Sequence, residues 1–186
     1  MESLKLLLEE SKLLYPEFLG SYRFIRQNKE SIKEIRAHIA ACAELGIPLI
    51  SIYSDDRRNK KNVTEDESDL LRRGLREASH FAADHNIILA WDLTAGQVYD
   101  DMESAMKFLT KLYRKNIFYR MDTWHIFSEA KMDPVLFFHM FKDLVVSVRC
   151  RSRDASQDVS GPLAASSCNY PEFLKSLVKN NYRGHI

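Results

Sequence analysis

The sequence predicts an α/β fold, with a parallel sheet under outer helices that forms part of a (β/α) barrel. Three observations carry this. Helix-type and strand-type stretches alternate along the chain. The strands are short and read as apolar on both faces, as parallel strands covered by helices do. Each strand–helix unit takes roughly 30 residues, the size of a βα repeat.

The elements follow in order. Ser3 to Leu14 carries leucines at 4, 7, 8 and 14 among Glu and Lys, which predicts an amphipathic helix capped by Ser3. Phe18 to Ile25 reads as a strand weakened by Gly20. Asn28 or Ser31 opens a helix with Ile32, Ile35, Ile39, Cys42 and Leu45 at helical spacing, and Gly46 stops it. Leu49 to Tyr53 is a β-branched strand, and Ser54 to Asp66 a charged loop. Ser68 to His85 is helical. Asn86 to Leu93 is the clearest strand, closed by Thr94-Ala95-Gly96. A helix over Asp100 to Lys115 leads to the run Ile117 to Phe127. Asp133-Pro134 starts a helix reaching about Phe141, with proline in its first turn. Leu144 to Cys150 is a strand and Arg151 to Cys168 a long polar loop. Pro171 to Lys179 is the last helix, and Tyr182 to Ile186 begins a further strand.

Composition bounds the function. A chain of 186 residues supports one domain with a substantial core. Lys plus Arg is 27 against 26 for Asp plus Glu, so net charge gives no push toward nucleic acid or acidic membranes. The cysteines, Cys42, Cys150 and Cys168, have no C-x-x-C spacing, which fits a reducing, cytoplasmic setting. No apolar run approaches the ~18 residues of a membrane span.

Ligand-type residues follow the strands. Ser54, Asp55 and Asp56 follow one, Asp92 another, Asp122 and His125 a third, and Arg149, Arg151 and Asp154 a fourth. A barrel brings these ends to one face. Asp92, Asp122 and His125 make a partial ligand set for Mg²⁺, Mn²⁺ or Zn²⁺. The plainer readings are Asp92 and Asp122 as turn caps, His125 packed under Trp124, and Arg149 and Arg151 pairing with Asp154. The run Arg57-Arg58-Asn59-Lys60-Lys61 is a solvated loop or a phosphate-facing patch. No nucleophile elbow, P-loop or dinucleotide fingerprint is present.

From about Ser31 onward the chain resembles the xylose isomerase-like TIM-barrel superfamily, which holds sugar isomerases and epimerases and the endonuclease IV type of AP endonuclease. Ala43 to Pro48 followed by LISIY resembles one strand-entry unit. IILAWDLTAG resembles the strand that ends in a metal-binding Glu, with Asp92 in its place. Met121-Asp122-Thr123-Trp124-His125 resembles the Asp-Thr-x-His motif, in which Asp binds metal and His binds metal or substrate. VVSVRCRSRD resembles the strand that carries a metal-binding His and then Asp; Arg151 stands at the His position and Asp154 at the Asp. Asn181 to Ile186 resembles the lead into a final metal-binding Glu.

The resemblance implies a single domain over 1–186 without the first two strands, with Asp92 and His125 as catalytic groups. Asp92, Asp122 and His125 would hold a divalent metal (Mn, Mg or Zn), and Arg151 and Asp154 would bind a sugar or sugar phosphate. The expected chemistry is metal-assisted proton transfer next to a carbonyl. The departures weigh against it: Asp92 is one methylene shorter than Glu, Arg151 is a cation at a ligand position, and the last Glu lacks a counterpart. Two alternatives stay open, a non-catalytic barrel remnant binding a small ligand or partner and an AP endonuclease relative. A sheet lacking two units is also expected to be open on one side, so the chain is expected to self-associate through that side or to be a portion of a longer barrel, the N-terminal helix being the one spare element that could cover the opening.

Overall fold

The computed structural model describes residues 6, 16–54, 63–93, 97–99, 101–112, 116–154, 159–161, 163, 166 and 168–186. The expected N-terminal helix, apart from Leu6, and the Arg57–Lys61 run lie outside them. Five strands form one parallel sheet in chain order: β1 (Phe18–Tyr22), β2 (Leu49–Ser54), β3 (Ile88–Leu93), β4 (Ile117–Asp122) and β5 (Val145–Arg149). The connections contain α1 (Asn28–Leu45), α2 (Glu65–Asp84), α3 (Met102–Thr110) and α4 (Pro134–Phe141), and α5 (Tyr170–Lys179) follows β5. A parallel bridge between Ser147 and His185 marks the start of a further strand. Among the described residues β1 pairs with β2 alone, so the sheet is an incomplete barrel.

Local chemistry sets the helix ends. Gly46 sits at φ 70° and closes α1. Its N–H donates to the Ala43 carbonyl and that of Ile47 to the Cys42 carbonyl at 2.8 Å, the paired bonds of a Schellman stop. The left-handed conformation there is one glycine adopts without Cβ strain. α2 begins three residues before the expected Ser68. Thr64 and Glu67 form a reciprocal capping box, with Glu67 N donating to Thr64 Oγ1 at 3.2 Å and Thr64 N to Glu67 Oε2 at 3.0 Å. α3 is shorter than the expected 100–115 and is capped by Asp101, which accepts from Ser104 N at 3.0 Å.

Two further expectations are corrected. The stretch from Arg151 to Cys168 is not all loop: β6 (Ser152–Asp154) and β7 (Val159–Gly161) pair antiparallel within it. Three residues per strand are too few for alternation to show in the sequence. The strands are also not apolar on both faces. Successive residues point to opposite sides, and on the helix side Ile50, Ile52, Leu89, Trp91, Tyr119, Met121 and Val148 are buried beneath Ile35, Leu71, Leu75 and Phe108. The other side carries Ser51, Ala90, Asp92, Arg120, Asp122, Ser147 and Arg149, joined across the strands by the register Ser51↔Ala90, Asp92↔Arg120↔Ser147 and Asp122↔Arg149. The inner face is small and polar. Glu17, just before β1, reaches Arg120 on β4 and Ser147 on β5, so the sheet curls until its two edges approach one another.

Candidate functional site

The carboxyl-terminal halves of β3, β4 and β5 and the residues just after them bring two aspartates and three arginines together, and Glu17 joins them from just before β1. Asp92 is 1% exposed, and its Oδ2 stands 3.1 Å from Arg120 Nη1. Arg120 Nε is 2.8 Å from Glu17 Oε1, and the Ser147 hydroxyl donates to Glu17 Oε2 at 2.5 Å. One guanidinium therefore holds two carboxylates from opposite sides of the curled sheet.

Asp122 is fully buried, hydrogen-bonded through Oδ1 and ion-paired through Oδ2. Its Oδ1 accepts from the backbone N–H of Trp124 at 3.0 Å and of His125 at 3.1 Å, capping the π-helical turn His125–Glu129. Its Oδ2 lies 2.7 Å from Arg151 Nε and 4.0 Å from Arg149 Nη1. Arg149 and Arg151 thus converge on Asp122. Asp154, their expected partner, lies in β6 opposite Val159, and its side chain is outside the described parts.

Thr123 and Tyr170 fasten the loop that carries Arg151. Their hydroxyls are 2.6 Å apart, and the Tyr170 hydroxyl donates to the Arg151 carbonyl at 2.5 Å. Burial pushes the Tyr170 phenol up to about 12. It also pushes the neighbouring Cys150 thiol up to about 11, with Cys168 and Asp122 adding to the shift, so this thiol stays protonated at neutral pH. Gln97 fixes the other rim: its Oε1 accepts from Ser54 N and its Nε2 donates to the Asp92 carbonyl, each at 2.7 Å.

Among the described residues, His125 is not grouped with the two aspartates around a common ion position. It lines a cavity of about 400 Å³ with Leu93, Asp101, Glu103 and Phe137. Trp124 and Phe127 line a larger one, about 790 Å³, with Lys131, Asn169 and Glu172. A third, about 520 Å³, opens on the inner side of the sheet between β1 and β5, lined by Glu17, Leu19, Arg120, Val148, Arg149, Cys150 and Ile186. Of the three, this inner cavity alone is lined by members of the ionic cluster.

The described residues, paired as they are, do not fit the divalent ion that the resemblance implies. Among the described residues no group of three His, Cys, Asp or Glu is placed to hold a metal, and Asp92, Asp122 and His125 are all described. The physical reason is visible. A carboxylate oxygen that binds a hard cation must approach it to about 2.0–2.6 Å, and Asp122 Oδ2 and Asp92 Oδ2 each already face a guanidinium. Among the described residues Glu17, Asp92 and Asp122 face Arg120, Arg149 and Arg151, so an added divalent ion would compete with guanidinium groups for these carboxylates.

Arg120 and Glu17 are the site residues that the sequence reading missed. The signal for Arg120 was parity: it stands two residues before Asp122 in a strand, and hence on the same face. Glu17 carried no such signal, because its partners are distant in sequence.

Residues 19–186 match the sequence profile described as a xylose isomerase-like TIM barrel. The chain belongs to this family. Among solved structures it superposes on a probable 3-DHS dehydratase from Bacillus anthracis with a TM-score of 0.83 at 14% identity, covering 100% of this chain and 74% of that one. It also superposes on 3-keto-D-glucoside 4-epimerase from E. coli, with a TM-score of 0.78 at 17% identity over 99% and 74% of the two chains. A third is D-allulose 3-epimerase from Methylomonas sp. in complex with D-allulose, with a TM-score of 0.77 at 16% identity over 98% and 65%. These likenesses show the xylose isomerase-like fold, with sugar epimerases among its neighbours. Curated proteins yield no match in sequence. Among the described residues, no helix of this family member is long and apolar enough to cross a membrane.

Proposed function

We propose that this xylose isomerase-like barrel binds a small sugar or sugar derivative at the carboxyl ends of β3–β5, and that arginine has taken over the charge-neutralising place of a metal there. Catalysis by metal-assisted proton transfer is lost in this reading. The observation that carries it is the pairing of Asp122 with Arg151 at 2.7 Å, repeated by Asp92 with Arg120 at 3.1 Å. The family and its epimerase neighbours, one holding D-allulose, support the sugar as ligand class.

The chemistry follows from the pairing. A carboxylate shuttles protons at a carbon only when it reaches that carbon and its pKa is matched to the task. Asp92 is buried against a guanidinium and is short for the Glu position it occupies. Isomerase activity is the second reading, favoured by the family alone, and it requires Arg151 to leave Asp122.

The test is a metal analysis of protein purified without chelator, beside calorimetric titration with D-allulose. The expected result is sugar binding with substoichiometric metal. One tightly bound ion per chain, lost in Asp122→Asn, would restore the isomerase reading.

A further inference from the structure

We infer that Arg149 is an oxyanion-recognising residue, and that the ligand of the inner cavity is a small polyhydroxylated molecule bearing one carboxylate or phosphate. This rests on the sugar-binding reading and narrows its substrate class.

The argument starts from how the three guanidinium groups differ. Arg120 is 11% exposed and held between Glu17 and Asp92. Arg151 is 34% exposed and closes on Asp122 at 2.7 Å. Arg149 is the most exposed, at 39%, and its Nη1 comes only to 4.0 Å of Asp122 Oδ2, beyond hydrogen-bond distance. Asp122 Oδ1 already serves two backbone N–H groups, and Arg151 stands nearer than Arg149 to its Oδ2. Arg149 thus lines the inner cavity of about 520 Å³ without a hydrogen bond to Asp122. A guanidinium fork matches the paired oxygens of a carboxylate or phosphate, which a neutral sugar lacks.

The distribution of charge within the cavity points the same way. Around Arg120 there are two acids to one base, and around Asp122 two bases to one acid. Glu17 is anchored at Ser147, two residues below Arg149 along β5 and so roughly 7 Å down the strand. An anion entering from the carboxyl end meets Arg149 first and stays clear of Glu17. The rest of the ligand lies against Leu19 and Ile186, with Arg120 and Glu17 beyond for hydroxyl groups.

The experiment is calorimetry on the whole chain with D-gluconate, D-ribose 5-phosphate, D-allulose and inorganic phosphate, on wild type, Arg149→Ala and Arg149→Lys. In wild type the better of the two anionic sugars binds at least about tenfold tighter than D-allulose, the weight of a charge-assisted bidentate contact. Arg149→Ala collapses that ratio and Arg149→Lys keeps part of it; circular dichroism verifies that both variants are folded. Gluconate against ribose 5-phosphate decides between carboxylate and phosphate. Equal binding of charged and neutral sugars, or a preference that survives Arg149→Ala, overturns the inference while leaving the sugar reading intact. Arg149-dependent binding of inorganic phosphate with no sugar bound upholds the oxyanion role and removes the sugar reading. No binding of any probe removes both.

Discussion

The two faces of the same sheet are built on different physics. On the helix side of β3 and β4, Leu89, Trp91, Tyr119 and Met121 are buried under apolar helix residues, and any well-packed hydrophobic set of the same volume would serve. On the inner side of the same strands, Asp92, Arg120 and Asp122 are buried as charges, and each depends on particular partners. The outer face stabilises the fold through area. The inner face costs desolvation, which its ion pairs offset. The comparison teaches where function is to be sought: in the layer whose residues are the harder to replace.

Alkaline pH is expected to break the outer layer at several places at once, with the largest effect. Burial raises Tyr22, Tyr119 and Tyr182, and raises Tyr170 from 10.0 to about 12 and Cys42 from 9.0 to about 11. The sign is that of groups held protonated in the folded chain. Their contribution is complete below the unfolded values and disappears as pH rises through the folded ones. Urea midpoints are expected to be flat up to about pH 8.5 and to fall steeply between pH 9 and 12; a flat profile to pH 12 would mean the tyrosines are solvated.

The inner face is broken at Arg120. Arg120→Met strands Asp92 and Glu17 as buried charges and is expected to cost ~3–5 kcal/mol in urea unfolding. Adding Asp92→Asn should return part of that loss, because one orphan charge goes with it. An apolar cavity on the outer face has no such rescue, and equal stability of the single and double variants would erase the distinction between the faces.

Smaller effects sharpen the outer side. A Cβ at Gly74 would fall 2.5 Å from Phe24 Cδ1, and Phe24 is fully buried. Gly74→Ala should therefore destabilise by ~1–3 kcal/mol despite its better helix propensity; a gain in stability would show that Phe24 gives way freely. Thr64→Ala removes half of the capping box of α2 and should cost ~1 kcal/mol, read as a lowered midpoint with unchanged slope.

Much of the fold was legible before any coordinates. Leu49–Ser54, Ile88–Leu93 and Ile117–Asp122 are apolar runs bounded by turn residues, and Gly46 marks its helix end unaided. The start of α2 was legible but missed, since Thr64 and Glu67 lie upstream of the first apolar repeat. The site was legible residue by residue but not in its pairing. Asp92, Asp122 and Arg151 could be singled out by their place after strands. What each faces depends on which strands neighbour one another and on the curl that brings Glu17 across to Arg120, and no local pattern encodes either.

Manganese titration followed by electron paramagnetic resonance tests the central claim most directly, because free Mn²⁺ gives a sharp six-line signal that binding broadens. The arginine-neutralised cluster predicts that the signal grows with the first addition of metal to wild type, with no tight site, and that Asp122→Asn behaves identically. A stoichiometric loss of signal in wild type that Asp122→Asn abolishes would contradict it, showing that the guanidinium groups yield the aspartates to an ion.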